Sequence, residues 1–223
     1  MRVSAGSDKI EHMFERQGGA GSGSGGGRAE APAPAGTTAC DARAVGAWVA
    51  DLARDSFAGL SDGERIELLR SLEALKCVAE GAQAQVAVDF DASQRAEQAA
   101  RDVPPARRGQ GVAAQVALAR RESPHHGRQH LGLAKVLHAE MPCTWAALRG
   151  GWISEWRATL MARETACLSL EHRLLLDSEM AADPAHIESL GDRELVATLR
   201  ARASELDPRR SPSGAGRPRR TGE

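Results

Sequence analysis

The residues of this 223-residue chain best suited to chemistry gather between Arg101 and Lys135. Arg101, Arg107, Arg108, Arg120, Arg121, Arg128 and Lys135 stand there against only Asp102 and Glu122, a local charge of +5. Cations at that density suit a phosphate-contacting surface, because each one set against a nucleic-acid backbone releases a condensed counterion. The competing reading is a solvated face balanced by the acidic stretch 177–194, which sums to −5. The same segment carries His125, His126 and His130. His126 and His130 are four residues apart, a spacing that puts two imidazoles on one helix face and can bind a metal. No HExxH pattern or nearby carboxylate completes a site, so a surface histidine pair without metal or other cofactor is the expectation. An enzyme in its own right would rest on these two histidines with an acid such as Glu122.

Other constellations are weaker. Cys40, Cys77, Cys143 and Cys167 form no CxxC pair, which points to reduced thiols rather than a metal or redox site. Trp145, Trp152 and Trp156 cluster in one short stretch and suit either base stacking or core packing, the latter being the commoner use in a helical protein. Residues 142–149, the Gly150-Gly151-Trp152-Ile153 turn and a helix capped by Ser154 together read as a helix-turn-helix. Arg149, Arg157 and Arg163 would then be available for phosphates or base edges, although helix pairs joined by glycine occur in any bundle.

The elements that must position these residues follow from composition and period. Hydrophobic residues make up 42% of the chain but aromatics only 3%, with no Tyr, so a core must be built from Leu, Val and Ala. That mixture favours helices over sheets. The net charge of −1 excludes a polycation that coats nucleic acid or membrane by charge alone. With no apolar run of roughly 18 residues and no signal-peptide stretch, a soluble, cytoplasmic protein with no membrane partner is expected. Residues 1–39, dominated by GGAGSGSGGGRAEAPAPAGTT, read as a disordered tether, 40–208 as one helical domain, and 209–223 as a basic disordered tail.

Within the domain Asp41 caps a helix striped by Val45, Trp48, Val49 and Leu52. Ser61-Asp-Gly-Glu64 is a capping box opening a helix that meets no proline before Pro104 and so runs from 62 to about 100. Its Leu68, Leu72, Leu75, Ala79, Ala82 and Val86 follow a 4-3-4-3-4 spacing, a heptad seam. A helix on the order of 58 Å long needs a partner along its length, either the rest of the chain or a second copy in a coiled-coil dimer. Shorter helices follow over 109–121, from Ser123-Pro124 to Met141, over 142–149, from Ser154, from Ser169, and from Asp192, giving an all-α bundle around one long helix.

A string of motifs resembles a known family: Ala119-Arg120-Arg121, Ser123-Pro124, Leu131-Gly132-Leu133-Ala134, Met141-Pro142, Ala146-Ala147-Leu148, Ile153-Ser154, Glu164-Thr165 and Leu206-Asp207-Pro208. Residues 40–208 are similar to the actinobacterial helical domains of unknown function that precede HNH endonuclease domains, the mycobacterial thirteen-E-twelve repeat proteins. The resemblance implies a nuclease module downstream, in which a His acts as general base, an Asn orients it and a further His binds metal. This chain has no Asn at any position and no His-rich segment after His186, so no catalytic residue carries over. The expected function is therefore a non-catalytic accessory domain, truncated or split from its nuclease, that contacts or positions DNA. Its contact candidates are Arg107, Arg108, Arg120, Arg121, Arg128, Lys135, Arg149 and Arg157. A separate HNH nuclease polypeptide or a second copy are the other expected partners. The Arg/Pro/Gly-rich end after Pro208 has the composition of GC-rich DNA read out of frame, which places the original continuation in another frame downstream.

Overall fold

Short polar side chains start most of the helices. In the computed structural model, which describes residues 40–207, Asp41 accepts from the Ala44 N–H at 2.8 Å and opens α1 (Ala42–Arg54). The Ser61–Glu64 capping box closes at the head of α2 (Asp62–Ala100): the Ser61 N–H donates to Glu64 Oε2 at 2.7 Å, and the Glu64 N–H to Ser61 Oγ at 3.4 Å. A 3-10 turn, Pro105–Arg107, leads to α3 (Val112–Arg120). The expected start at Gly109 is displaced because Gly109 and Gly111 hold φ of +84° and +88°, outside the helical region. Ser123 caps α4 (Pro124–Glu140); α5 (Pro142–Arg149) follows; Ser154 caps α6 (Glu155–Glu164) and Ser169 caps α7 (Leu170–Ala181). One helix goes beyond the sequence reading, α8 (Pro184–Ser189), started by Asp183 with Pro184 at its first position. In α9 (Asp192–Leu206) the cap is Gly191, and Asp192 lies in the first turn, where its charge favours the helix dipole.

The architecture is all-α: among the described residues no strand occurs. The proposed tether at 1–39 and tail at 209–223 lie outside the described residues. The chain divides into two compact units at the Ser71/Leu72 junction, inside α2. In the unit containing residues 40–71 no described residue is buried. The apolar stripe of α1 is open along its length, with Trp48 at 55% and Val49 at 61% exposure.

The unit containing residues 72–207 holds the core. Leu137, Met141, Leu148, Ile153, Met161, Leu176, Ile187, Leu195 and Leu199 are all fully buried, and each contributes about 1.5–3 kcal/mol by leaving water. A smaller cluster of Ala87, Val112, Val116 and Leu131 fastens α2 to α3 and α4. There α3 and α4 approach closely because Gly127 has no side chain; a Cβ would stand 2.4 Å from the Ala113 carbonyl. The N-terminus of α5 is capped from a distance. Buried Asp177 of α7 accepts from the N–H groups of Cys143 and Thr144 at 2.7 and 3.0 Å and from the Thr144 hydroxyl at 2.5 Å.

Candidate functional site

The long helix α2 carries two seams. The buried one is Cys77, Gly81, Ala84, Ala87 and Asp91, at 4-3-3-4 spacing and built of small residues. Small residues let the backbones meet: a Cβ on Gly81 would lie 2.9 Å from the Arg149 Cα and 2.9 Å from the Leu148 carbonyl. The seam read from the larger aliphatics lies elsewhere. Leu68 and Leu72 are half-buried, while Leu75, Ala79, Ala82 and Val86 are exposed, Val86 to 66%. At 3.6 residues per turn the two stripes stand about 160° apart on α2. The bundle thus takes the small-residue stripe and leaves Leu75, Ala79, Ala82 and Val86 of the heptad in solvent. Because intramolecular packing selected for close approach rather than for apolar bulk, the seam from Leu75 to Val86 is not covered by the rest of the unit that holds residues 72–207.

A second feature is a cluster of charges joining α2, α3, α4 and α6. His130 Nδ1 lies 2.7 Å from Glu155 Oε1 and its Nε2 2.9 Å from Glu122 Oε2. Arg120 donates to Glu155 at 3.1 Å, to Glu122 at 3.3 Å and to Gln83 at 2.6 Å. The Glu155 N–H donates to Glu80 Oε2 at 2.6 Å. Burial pushes the Glu155 carboxyl up, but the hydrogen bond from His130 and the neighbouring Arg120 charge outweigh it and hold the group below the ordinary carboxylate value. His126 does not join His130: it is exposed and its ring stands 5.8 Å from that of His125. The carboxylates that meet His130 come from α6 and from the α3–α4 connection, a meeting that spacing along one helix cannot reveal. Among the described residues no group of three or more His, Cys, Asp or Glu side chains is arranged to hold a metal ion. The cluster is an internal brace that ties α2, α3, α4 and α6 together.

The eight basic candidates fall into two sets. Arg120 is spent in the cluster, Lys135 lies 2.7 Å from buried Asp91, and Arg157 donates to the Leu190 carbonyl at 2.6 Å with Asp192 at 3.5 Å. Arg108 bonds the Val103 carbonyl at 2.8 Å. Arg107, Arg121, Arg128 and Arg149 are exposed, and none has an acidic partner among the described residues. The acids that answer Arg120 and Lys135 are Asp91, Glu122 and Glu155, outside the 177–194 stretch that the charge count singles out.

The helix-turn-helix is present as two helices and a Gly150-Gly151 turn, but one face of its second helix is packed into the core. Ala158, Leu160, Met161 and Ala162 of α6 are buried, and Glu155, Arg157 and Arg163 are bonded within the fold. The tryptophans depart from the core reading. Trp152 and Trp156 are about half exposed, Trp156 donating from its indole to Asp192 at 3.2 Å, and only Trp145 is half-buried, edge-on to His138. Their polar N–H groups and bulk are served at the rim of a core already filled by Leu and Met. None of the four cysteines forms a disulfide, and burial pushes the Cys77 and Cys143 thiols up, away from the reactive thiolate.

Comparison with known proteins finds no match: no family model, no curated protein and no solved structure is similar to this chain.

Proposed function

We propose that the chain is a non-catalytic helical module that works by associating with another polypeptide through the outward seam of α2. The single observation that carries this reading is the exposure of Leu75, Ala79, Ala82 and Val86 at heptad spacing, on the side of α2 opposite its buried stripe. A regular seam of this kind is the element by which helices pair, and left open it is a surface that favours burial. The test is binding of an apolar-surface fluorophore to dilute protein. Leu75→Asp with Val86→Asp is expected to remove most of the fluorescence gain while helicity stays unchanged; equal dye binding by wild type and variant counts against the reading.

A second reading, contact with DNA as the accessory domain of an HNH-type nuclease, draws on Arg107, Arg121, Arg128 and Arg149, four exposed arginines without acidic partners among the described residues. It follows the motif resemblance described above, with a nuclease on a separate polypeptide as the catalytic partner. Gel-shift titrations over a salt series test it. Affinity should fall steeply with salt, and the quadruple Ala variant should flatten that slope by about four counterions' worth. Salt-independent or absent binding removes it.

A further inference from the structure

Resting on the interaction reading, we infer that the occupant of the α2 seam is a second copy of this chain, paired antiparallel about a two-fold axis near residue 77. The seam is complementary to itself in that orientation. Reversing one copy sets Leu68 against Val86, Leu72 against Ala82 and Leu75 against Ala79, so a large side chain meets a smaller one at every level. In heptad terms each a position faces a d position, as antiparallel pairing of two helices requires. The parallel arrangement instead stacks leucine on leucine at one end and alanine on alanine at the other, leaving the Ala79–Ala82 level underfilled.

Charge agrees with self-pairing. From Leu68 to Val86 the core and flanking positions hold one ion, Lys76, whose Nζ lies 2.6 Å from Glu73 of its own helix. The remaining flanks are Leu69, Ser71, Val78, Gln83 and Gln85, with Leu69 62% and Val78 41% exposed. Lys76 meets its own copy near the axis already neutralised, and Val78 meets Val78. Such a surface has no net charge with which to select a nucleic acid or a strongly charged polypeptide, and no like-charge barrier against itself. An isologous contact of this sort closes at two copies. Two stripes of about 18 residues bury on the order of 1,000 Å² in all, the lower end of specific interfaces, which points to a weak, reversible dimer.

Sedimentation equilibrium of the full chain from about 1 to 200 µM, a range in which a weak dimer dissociates, tests the proposal. Dimer is expected at the upper end, with Kd raised at least tenfold in Leu75→Asp. Val86→Asp, at a position outside the bundle, gives the same loss without touching the core. Orientation is read in a Cys40→Ser, Cys167→Ser background: Leu68→Cys mixed with Val86→Cys should form an intermolecular disulfide on oxidation, and Val86→Cys alone should not, since its copies sit about 27 Å apart on antiparallel helices. A strict monomer at the top of that range overturns the proposal, as does a dimer indifferent to both Asp variants; self-crosslinking of Val86→Cys overturns the antiparallel register. A monomer that still binds the fluorophore through the seam leaves the broader interaction reading standing, and a monomer that binds none removes both.

Discussion

At the scale of single residues the decisive groups are buried and half-buried acids answered from far along the chain. Asp177 is held without a paired cation among the described residues; three donors at the head of α5 satisfy its carboxylate. Asp177→Asn keeps the shape but presents an N–H₂ to donors, leaving at least one of them unsatisfied. The expected loss is roughly 2–3 kcal/mol, or a Tm lower by about 5–10 °C, checked by thermal and urea unfolding. Glu155 carries a pH signature. Its folded-state value is lowered, so its contribution is present above the ordinary Glu value and is lost as pH falls through the lowered one. Glu155→Gln should destabilise by about 1–3 kcal/mol near neutral pH, with the gap to wild type narrowing as urea titrations move from about pH 5 to about pH 3. An equal gap at both ends would mean that the charge of Glu155 contributes nothing.

At the scale of elements, α2 shows how packing chooses between two stripes of one helix. Gly81 is unfavourable for an isolated helix by about 1 kcal/mol relative to Ala, yet it is where α5 touches α2. Gly81→Ala gains that propensity and drives a Cβ into the Arg149 and Leu148 backbone, which cannot swing aside as a side chain can. A net loss of about 1–3 kcal/mol is expected from chemical denaturation; a gain would show that α5 shifts freely. The first helix is the opposite case. With thirteen residues, a good Asp41 cap and no buried side chain, α1 has local signals without packing to hold it. Its amides should exchange with solvent far faster than those of α4 or α6 in hydrogen-exchange measurements.

At the scale of the whole molecule, cations are distributed between bracing and display. Arg120, Lys135 and Arg157 are drawn into the unit formed by residues 72–207, and Arg107, Arg121, Arg128 and Arg149 remain on its surface. The seam of α2 adds a second displayed feature, apolar rather than charged. If it pairs two copies, unfolding becomes linked to association, and Tm should rise with protein concentration for wild type and stay constant for Leu75→Asp in scanning calorimetry. A Tm independent of concentration in both would place association outside the folded-state equilibrium.

The local part of this protein is written in its sequence. Asp41, Ser61 with Glu64, Ser123, Ser154 and Ser169 each sit where a helix begins, because a cap acts over three residues and needs no tertiary contact. The absence of proline from residue 62 to 103 likewise leaves one helix of 39 residues uninterrupted. The 4-3-4-3-4 period places Leu68 through Val86 on one stripe for the same reason. Which stripe the bundle buries is a different matter. Periodicity reports that residues share a face, and only the shape of α5 against Gly81 decides that the small-residue face goes inward. The same holds for the charges: a sum over 101–135 treats Arg120 and Arg121 alike, whereas one side chain is only 16% exposed among carboxylates from other parts of the fold and the other is in solvent. Pairings such as Arg120 with Glu155 and Asp177 with Thr144 join residues 33 to 35 positions apart. Such contacts are made by helices meeting in space, so tertiary structure alone settles them.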